Sequence, residues 1–475
     1  MSEQNAFRIE HDLIGELSVP ADAYYGVHTA RALRNFAVLG RPCHPELIRG
    51  MAAVKEAAAL TNRALGALDA DTGDAICEAA REVSAGALHE WIRVDGLQGG
   101  AGTSLNMNVN EVIANRAAER LGLPKGDARV SPLDHVNLHQ STNDVFPTAL
   151  KVAALRLLDR LEEAIARLQL ALQAKETAFA GLIKMGRTQL QDACPTTFGA
   201  TFGAFAEAIS RDRWRVFKCK ERLRVVNLGA TAIGTGVAAP RDYIFRVVGA
   251  LREVTKLNLS RAENLLDATQ NADVFVEVSG ILKAHAVNLL KISADLRLMA
   301  SGPCAGLNEL TLPAVQAGSS VMPGKINPVI CEAAAQGAMA MIGHDAAITL
   351  ACQAGQLELN AFLPLVAQSL LDGLSSLIAA DEALADRCVA GIEVHADEAA
   401  RTVEASFAIV TALVPTLGYE EATRIAVAAR TTGRTVRDLA RETGALDDSE
   451  LDRLLLPATM TQLGGAPPRS SNGRR

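Results

Sequence analysis

Residues 148–180 carry Leu150, Ala154, Leu157, Leu161, Ile165, Leu168 and Leu172, an apolar side chain at every third or fourth position with Arg and Glu between them. That period marks an amphipathic helix. Comparable stretches cover about 198–226, 270–300, 328–355 and 361–390. Each is about 30 residues, or roughly 45 Å of helix at 1.5 Å per residue. Five helices of that length must bury their faces on each other, and a bundle is the economical answer. The fourth stretch also places Ala333-Ala334-Ala335, Gly337, Ala338 and Ala340 on more than one side. A helix apolar on several sides needs extra partners, which points to an oligomer built by helix–helix packing.

The expected fold class is therefore all-α, with a central bundle of five long helices. Composition agrees: 49% of residues are apolar and only 4% aromatic, with Ala and Leu dominant, and both lose little on entering a helix. Residues 8–20 alternate as one or two short N-terminal strands, and 45–90 read as two or three helices. After about 395 the helices shorten, with turns at Leu417-Gly418 and Thr432-Gly433 and a cap at Asp447-Asp448-Ser449-Glu450. A chain of 475 residues exceeds one hydrophobic core. We expect three domains, residues 1–141, 142–396 and 397–475, with a disordered tail from Gly464.

The net charge of −7, with both signs interspersed, offers no basic face for nucleic acid. The eight cysteines, at 43, 77, 194, 219, 304, 331, 352 and 388, include no CxxC pair, so no zinc or redox motif is expected. Most of them read as small buried apolar residues in a reducing cytoplasm. The N-terminal MSEQNAFRIEHDL lacks the apolar core of a signal peptide. The uncharged stretch 225–240 falls short of a bilayer span, so no membrane partner is expected.

Four polar segments interrupt the helical text. They are Gly99-Gly100-Ala101-Gly102-Thr103-Ser104-Leu105-Asn106-Met107-Asn108, His139-Gln140-Ser141-Thr142-Asn143-Asp144, Gly186-Arg187-Thr188-Gln189-Leu190-Gln191-Asp192, and the loop 318–328. Short hydroxyl and amide donors beside a helix start suit a carboxylate, because free backbone N–H groups and the helix dipole add to the field. The same residues also serve as plain helix caps. In the loop, Gly318 and Gly324 bracket Ser319 and Ser320 and permit unusual backbone angles. Lys325 and Asn327 are two residues apart on one side of an extended stretch. A cation and an amide donor there suit one end of a dicarboxylate, and Pro328 opens the next helix.

Together these segments resemble the aspartase/class II fumarase superfamily. GSSVMPGKINP (318–328) matches its signature nearly residue for residue, and the resemblance extends to DAYYGVHTARALRNF (22–36), GGAGTSLNMNVNEVIAN (99–115), DHVNLHQSTNDVFPTA (134–149), GRTQLQDACP (186–195), VNLGATAIGTG (226–236) and SGPCAGLNELTLPAVQAGSS (301–320). It covers nearly the whole chain. It implies a three-domain helical subunit in a homotetramer whose active sites are shared between subunits, a small dicarboxylate substrate, and no cofactor or metal. It also implies roles. Ser319, on a mobile loop with Ser320, is the general base. Lys325 and Asn327 hold the carboxylate next to the leaving group. Thr103, Ser141 and Thr142 hold the other carboxylate and stabilise its aci form. Asn143 reaches the amino group, flanked by Thr188 and Gln189.

The leaving group is read from two places. Fumarases of the superfamily are similar to one another in having SSND and GRTHLQ, and pair that histidine with a glutamate; here the text is STND and GRTQLQ, with the glutamate present as Glu332. Gln189 cannot take a proton, though it can bond an ammonium or a carboxylate. The resemblance thus implies elimination of ammonia from L-aspartate. Class II fumarase, a lyase for another substituted succinate and an inactive structural homologue stay open. A nicotinamide site at 229–236 lacks the strand and acidic residue such a site needs. Three positions depart from the family pattern: Arg34, Leu133, which removes a second dicarboxylate site, and His139, beside Ser141, which reads as a plain surface or packing histidine, with tuning of the pocket left open.

Overall fold

A computed structural model describes residues 7–464. The tail from 465 onward lies outside the described residues. An N-terminal antiparallel hairpin, β1 (Phe7–Asp12) and β2 (Gly15–Pro20), precedes α1 (Val27–Asn35), α2 (Pro45–Ala64), α3 (Ala70–Ala85) and α4 (Thr103–Arg120). The five long helices follow as α5 (Thr142–Ala178), then, after a second hairpin of β3 (Ile183–Thr188) and β4 (Gln191–Thr197), α6 (Phe198–Leu223); next, past α7 (Arg241–Thr255) and α8 (Leu265–Gln270), come α9 (Asp273–Met299), α10 (Val329–Gln353) and α11 (Leu363–Arg387). Short helices occupy the chain from Ala396 onward, and Asp447 caps one of them by accepting from the Glu450 N–H at 2.8 Å.

The all-α reading holds, with two differences. Strands are not confined to the N-terminus: β3 and β4 pair antiparallel around the two-residue turn Gln189-Leu190. Both turn residues have positive φ, 53° and 62°, the geometry that matches strand twist in a tight hairpin. Second, α5 begins at Thr142 rather than at 148, running through Pro147. A proline removes the N–H that would bond the carbonyl four residues back. Here that carbonyl, of Asn143, accepts instead from Asn227 Nδ2 at 3.1 Å.

The chain forms two compact units. The first holds residues up to Glu163, Asp212–Val287 and Gln336–Ala379; the second holds Ala164–Arg211, Asn288–Ala335 and the residues from Ala380 on. Each long helix contributes a stretch to both. In the first unit, α2 is nearly all buried small or apolar residues, including Met51, Ala52, Ala53, Val54, Ala57 and Ala58. Gly50 lets it approach α5 so closely that a Cβ would lie 2.5 Å from the Ala149 carbonyl oxygen. In the second unit, Met185 of β3 packs with Ile409, Leu413, Ile425, Val436, Leu451 and Leu454 of the C-terminal helices. The helical stretch Leu363–Gly391 has the length and apolarity to cross a bilayer, but 72% of its most apolar window is buried inside the protein. That is the burial of a core helix.

The start of α5 is set by Asp144. Its carboxylate is fully buried and accepts from the backbone N–H of Ser141, Gly229 and Thr231, each at 3.0 Å. Ser141 Oγ in return accepts from the Asn143 N–H at 3.2 Å. This is a reciprocal cap of the capping-box kind, extended to the 229–231 loop. Burial pushes the Asp144 carboxyl up to about 6 against the pull of those N–H groups. Asp144→Ala leaves three N–H groups without this acceptor, and the two buried ones, of Gly229 and Thr231, cost about 1–3 kcal/mol each. We expect a clear fall in the thermal midpoint, and a smaller one for Asp144→Asn, which keeps one acceptor oxygen. Circular dichroism melts check the order; an unchanged midpoint for Asp144→Ala would remove Asp144 as the clamp.

Candidate active site

The first unit brings together the starts of α4 and α5. Thr103 is the first residue of α4, after Gly102 at φ 96° with no side-chain cap. A Cβ at Gly102 would sit 2.1 Å from the Phe146 ring of α5, so glycine is required there both for its backbone angle and for helix contact. Thr103 is exposed, and its hydroxyl donates to the Gly100 carbonyl at 2.7 Å. Ser141, Thr142 and Asn143 open α5. Thr142 is buried, and its Oγ1 accepts from Asn106 Nδ2 at 3.1 Å. Asn143 Nδ2 donates to the Ala232 carbonyl at 2.8 Å, tying it to the loop that Asp144 also holds. Capping and display of polar groups therefore coexist here: Ser141 caps the helix, while Thr142 and Asn143 bond neighbouring elements.

The second unit holds the other candidates at two places. Thr188 and Gln189 lie at the tip of the β3–β4 hairpin, both exposed. Below the tip, Arg187 pairs with the buried Glu309 at 2.7 Å, and Lys184 reaches the same carboxylate at 3.4 Å. The loop 318–328 is the other place. Its ends are clasped: the Gly318 N–H donates to the Lys325 carbonyl at 2.7 Å, and Asn327 Nδ2 donates to the Gly318 carbonyl at 2.6 Å. Gly318 does not use a positive φ; a Cβ there would lie 2.5 Å from the Lys325 oxygen, so its role is close approach. Gly324 does use one, at φ 78°. Asn327 thus spends one amide hydrogen on the clasp and has its second left for a ligand.

Between the clasped ends, residues 320–326 are exposed. Ser319 is half-buried, and its Oγ accepts from the backbone N–H of Val321 at 3.1 Å and of Met322 at 2.9 Å. Two donors on one hydroxyl oxygen favour negative charge on it. Lys325 and Asn327 border a cavity of about 490 Å³ that Arg297, Asn308, Thr311 and Glu332 also line. Arg297 lies 3.6 Å from the Glu332 carboxylate. No hydrogen bond links Thr188 or Gln189 to the loop among the described residues. The site candidates thus fall into three groups, one in the first unit and two in the second.

Of the three departures, Arg34 is exposed in the last turn of α1, where a cation suits the helix dipole. Leu133 is 50% exposed. His139 is a packing residue: its Nδ1 lies 2.7 Å from Asn62 Oδ1, its ring 5.3 Å from that of Tyr243, and burial lowers its pKa. Five of the eight cysteines are buried, but Cys194 and Cys304 are exposed. Among the described residues no cluster of three or more His, Cys, Asp or Glu is arranged for a metal. Sequence reasoning passed over Asp144 and Asn106. A serine followed three residues later by an acid was a readable cap signal for the first. Polar Asn106, Asn108 and Asn110 in one helix were the signal for the second, since all three are buried.

The family model described as Lyase matches residues 15–343, and that for the fumarase C C-terminus matches 409–462. The chain is 46% identical to the aspartate ammonia-lyase of Bacillus subtilis (strain 168) over 98% of both chains. It is 47% identical to that of Pseudomonas aeruginosa, over 97% of this chain and 98% of the other. Among solved structures, a fumarate lyase:delta crystallin of Brucella melitensis bound to cobalt is 45% identical, with TM-score 0.93, covering 96% of this chain and 100% of that one. The class II fumarase of Schistosoma mansoni is 32% identical, with TM-score 0.92, covering 96% and 99%. With its fold, its signature loop and nearly its whole length accounted for, the chain belongs to the lyase family that includes the aspartate ammonia-lyases.

Proposed function

We propose that this protein is an aspartate ammonia-lyase, converting L-aspartate to fumarate and ammonia, and that Ser319 is its base. The observation that carries the assignment of the base is the pair of backbone N–H groups on Ser319 Oγ. A serine abstracts a carbon-bound proton only if its alkoxide is stabilised, and fixed N–H donors supply that without reorganisation. Ser319 takes a proton from the β-carbon. The electron pair moves into the adjoining carboxylate, forming the aci dianion, and returns to form the double bond as the C–N bond breaks and ammonia leaves. Thr103, Ser141 and Thr142 hold the aci carboxylate. Lys325 and Asn327 hold the other. Asn143 faces the amino group, with Thr188 and Gln189 beside it and Ser320 next to the base. For Thr103 to donate to a carboxylate, its bond to the Gly100 carbonyl must open. Loop closure over the substrate would exclude water and complete the set.

Ammonia is favoured over water because Gln189 cannot act as an acid, and ammonia needs one less than hydroxide does. Purified protein should form fumarate, read by its ultraviolet absorbance, from L-aspartate and little from L-malate. Equal or faster turnover of malate would assign it to the fumarases instead. Ser319→Ala should lower kcat at least about 100-fold, the scale of a general base. Lys325→Met should raise KM about 10- to 100-fold, as expected for a lost charged hydrogen bond. A near-normal kcat in the first, or an unchanged KM in the second, removes that role.

The proposal includes a cytoplasmic homotetramer, with each subunit divided at about 141 and 396 and with active sites completed by neighbouring subunits. Support comes from α10. Its exposed residues are Ala333, Gln336, Met339, Ala340, Gly343, Ala346, Thr349, Leu350 and Gln353, without a charge, and Met339 and Leu350 are 59% and 61% exposed. Such a face needs a partner. Met339→Glu should dissociate the assembly and abolish turnover, with light scattering as the measure; a monomeric wild type with full activity would overturn the shared site.

A further inference from the structure

Behind Thr142 lies a buried polar network whose members do not touch substrate in the reading above. Lys55, on α2, is fully buried. Its amine donates to Asn137 Oδ1 and to Gln140 Oε1, each at 2.9 Å. Asn137 Oδ1 also accepts from Asn106 Nδ2 at 3.2 Å and from Asn110 Nδ2 at 3.1 Å. Asn106 Nδ2 then donates to Thr142 Oγ1 at 3.1 Å.

Lys55 fixes the direction of every bond in this chain. Its amine offers hydrogens to both partners, so the oxygen of Asn137, not its NH₂ group, must face it. An oxygen held there can be met only by donors, so Asn106 and Asn110 turn their NH₂ groups toward it. Their own oxygens are left buried with no partner. An unpaired buried acceptor is costly, and flipping either amide would set carbonyl against carbonyl. The orientation is therefore imposed by the lysine. Burial pushes Lys55 down to about 7, but a neutral amine still has two hydrogens, enough for both bonds.

The consequence falls on Thr142. Its oxygen accepts from Asn106, and among the described residues no acceptor takes its hydrogen. We infer that Asn106 is a positioning residue, which holds Thr142 Oγ1 as an acceptor so that the hydroxyl hydrogen is free to donate to the substrate carboxylate that becomes the aci form. Thr103 differs, because its hydrogen is given to the Gly100 carbonyl. The inference rests on Thr142 holding that carboxylate.

A double-mutant cycle tests it, with kcat and KM for L-aspartate measured on the full chain and folding checked by circular dichroism. Thr142→Val deletes the donor and should lower kcat/KM about 10- to 100-fold. Asn106→Ala should cost about 10-fold in the wild type and almost nothing further in the Thr142→Val background, since groups that act through one another are not additive. Asn106→Asp keeps the shape but presents only acceptors, so Thr142 donates inward. It should fall further than Asn106→Ala in the wild type, and that excess should shrink in the Thr142→Val background, where only the opposition of its oxygen to Asn137 Oδ1 remains. A purely structural role predicts that the loss at 106 is the same with and without the Thr142 hydroxyl, so that the two losses multiply. Losses that multiply overturn the inference while leaving Thr142 as a ligand. Unchanged kcat/KM in Thr142→Val instead sinks the reading of Thr142 beneath it. Either substitution at 106 suffices if the other fails to fold.

Discussion

The Asp144 carboxylate, wholly buried and shared among three backbone N–H groups, decides where the longest helix begins. Hydrogen bonds to a charged group are worth about 1.5–3 kcal/mol each, but burying the charge offsets much of that. What the arrangement secures is geometry. With Asp144 fixed at the third position of α5, Ser141, Thr142 and Asn143 have one backbone path into the helix. Pro147 would ordinarily disturb that path. Asn227 accepts its consequence by donating to the carbonyl the proline leaves free, and its second amide hydrogen goes to Thr269 Oγ1 at 3.0 Å. A helix start of this kind presents hydroxyls and amides that are already oriented when a ligand arrives, which is the condition for electrostatic preorganisation.

The loop 318–328 follows the opposite strategy. It is fastened at its base by two short hydrogen bonds and is exposed between them. Segments with few buried contacts open at the least free-energy cost. A carboxylate-binding threonine can be fixed in advance because it need not move. A base that must meet a carbon-bound proton, and then exclude water from the carbanion, gains from a segment that can close. The two backbone donors on Ser319 belong to the loop itself, at Val321 and Met322, so they travel with the serine. If Ser319 is the base, as proposed, the stabilisation of its alkoxide does not depend on where the loop stands.

How much of this was legible in the sequence follows from range. The five long helices were readable because their apolar period repeats over many turns, and four of their starts fall within three residues of the expected positions. The start of α5 was misplaced by six because Pro147 and polar Ser141 to Asp144 resemble a loop, and only the distant Asn227 and the 229–231 loop make them helical. The β3–β4 hairpin was missed for a related reason: a Gln-Leu turn lacks the Asn-Gly or Asp-Gly pattern that announces such hairpins. Ser319, Lys325 and Asn327 were singled out as candidates by their motif, but the clasp between Asn327 and Gly318 was not legible, because a segment without periodicity does not say which of its donors it spends on itself. The orientation of the Asn106 amide was out of reach altogether. It depends on Lys55, some fifty residues earlier, and on Asn137, about thirty later.

The turn that escaped the sequence reading bears on the leaving group. Gln189 and Leu190 both sit at positive φ, and both side chains are exposed. Left-handed backbone costs a residue with a Cβ roughly 1–2 kcal/mol, and glycine would remove that cost at no loss to β3–β4 pairing. Local folding therefore gives no reason for Gln at this tip. Contact with a ligand, the role proposed for Gln189, would supply such a reason. The proposed mechanism assigns proton abstraction to the loop and carboxylate binding to the α5 start, roles that a fumarase and an aspartase can share. The same proposal assigns the distinction between them to Gln189, an exposed residue at positive φ whose amide can hold an ammonium or a carboxylate but cannot pass a proton to a departing hydroxide.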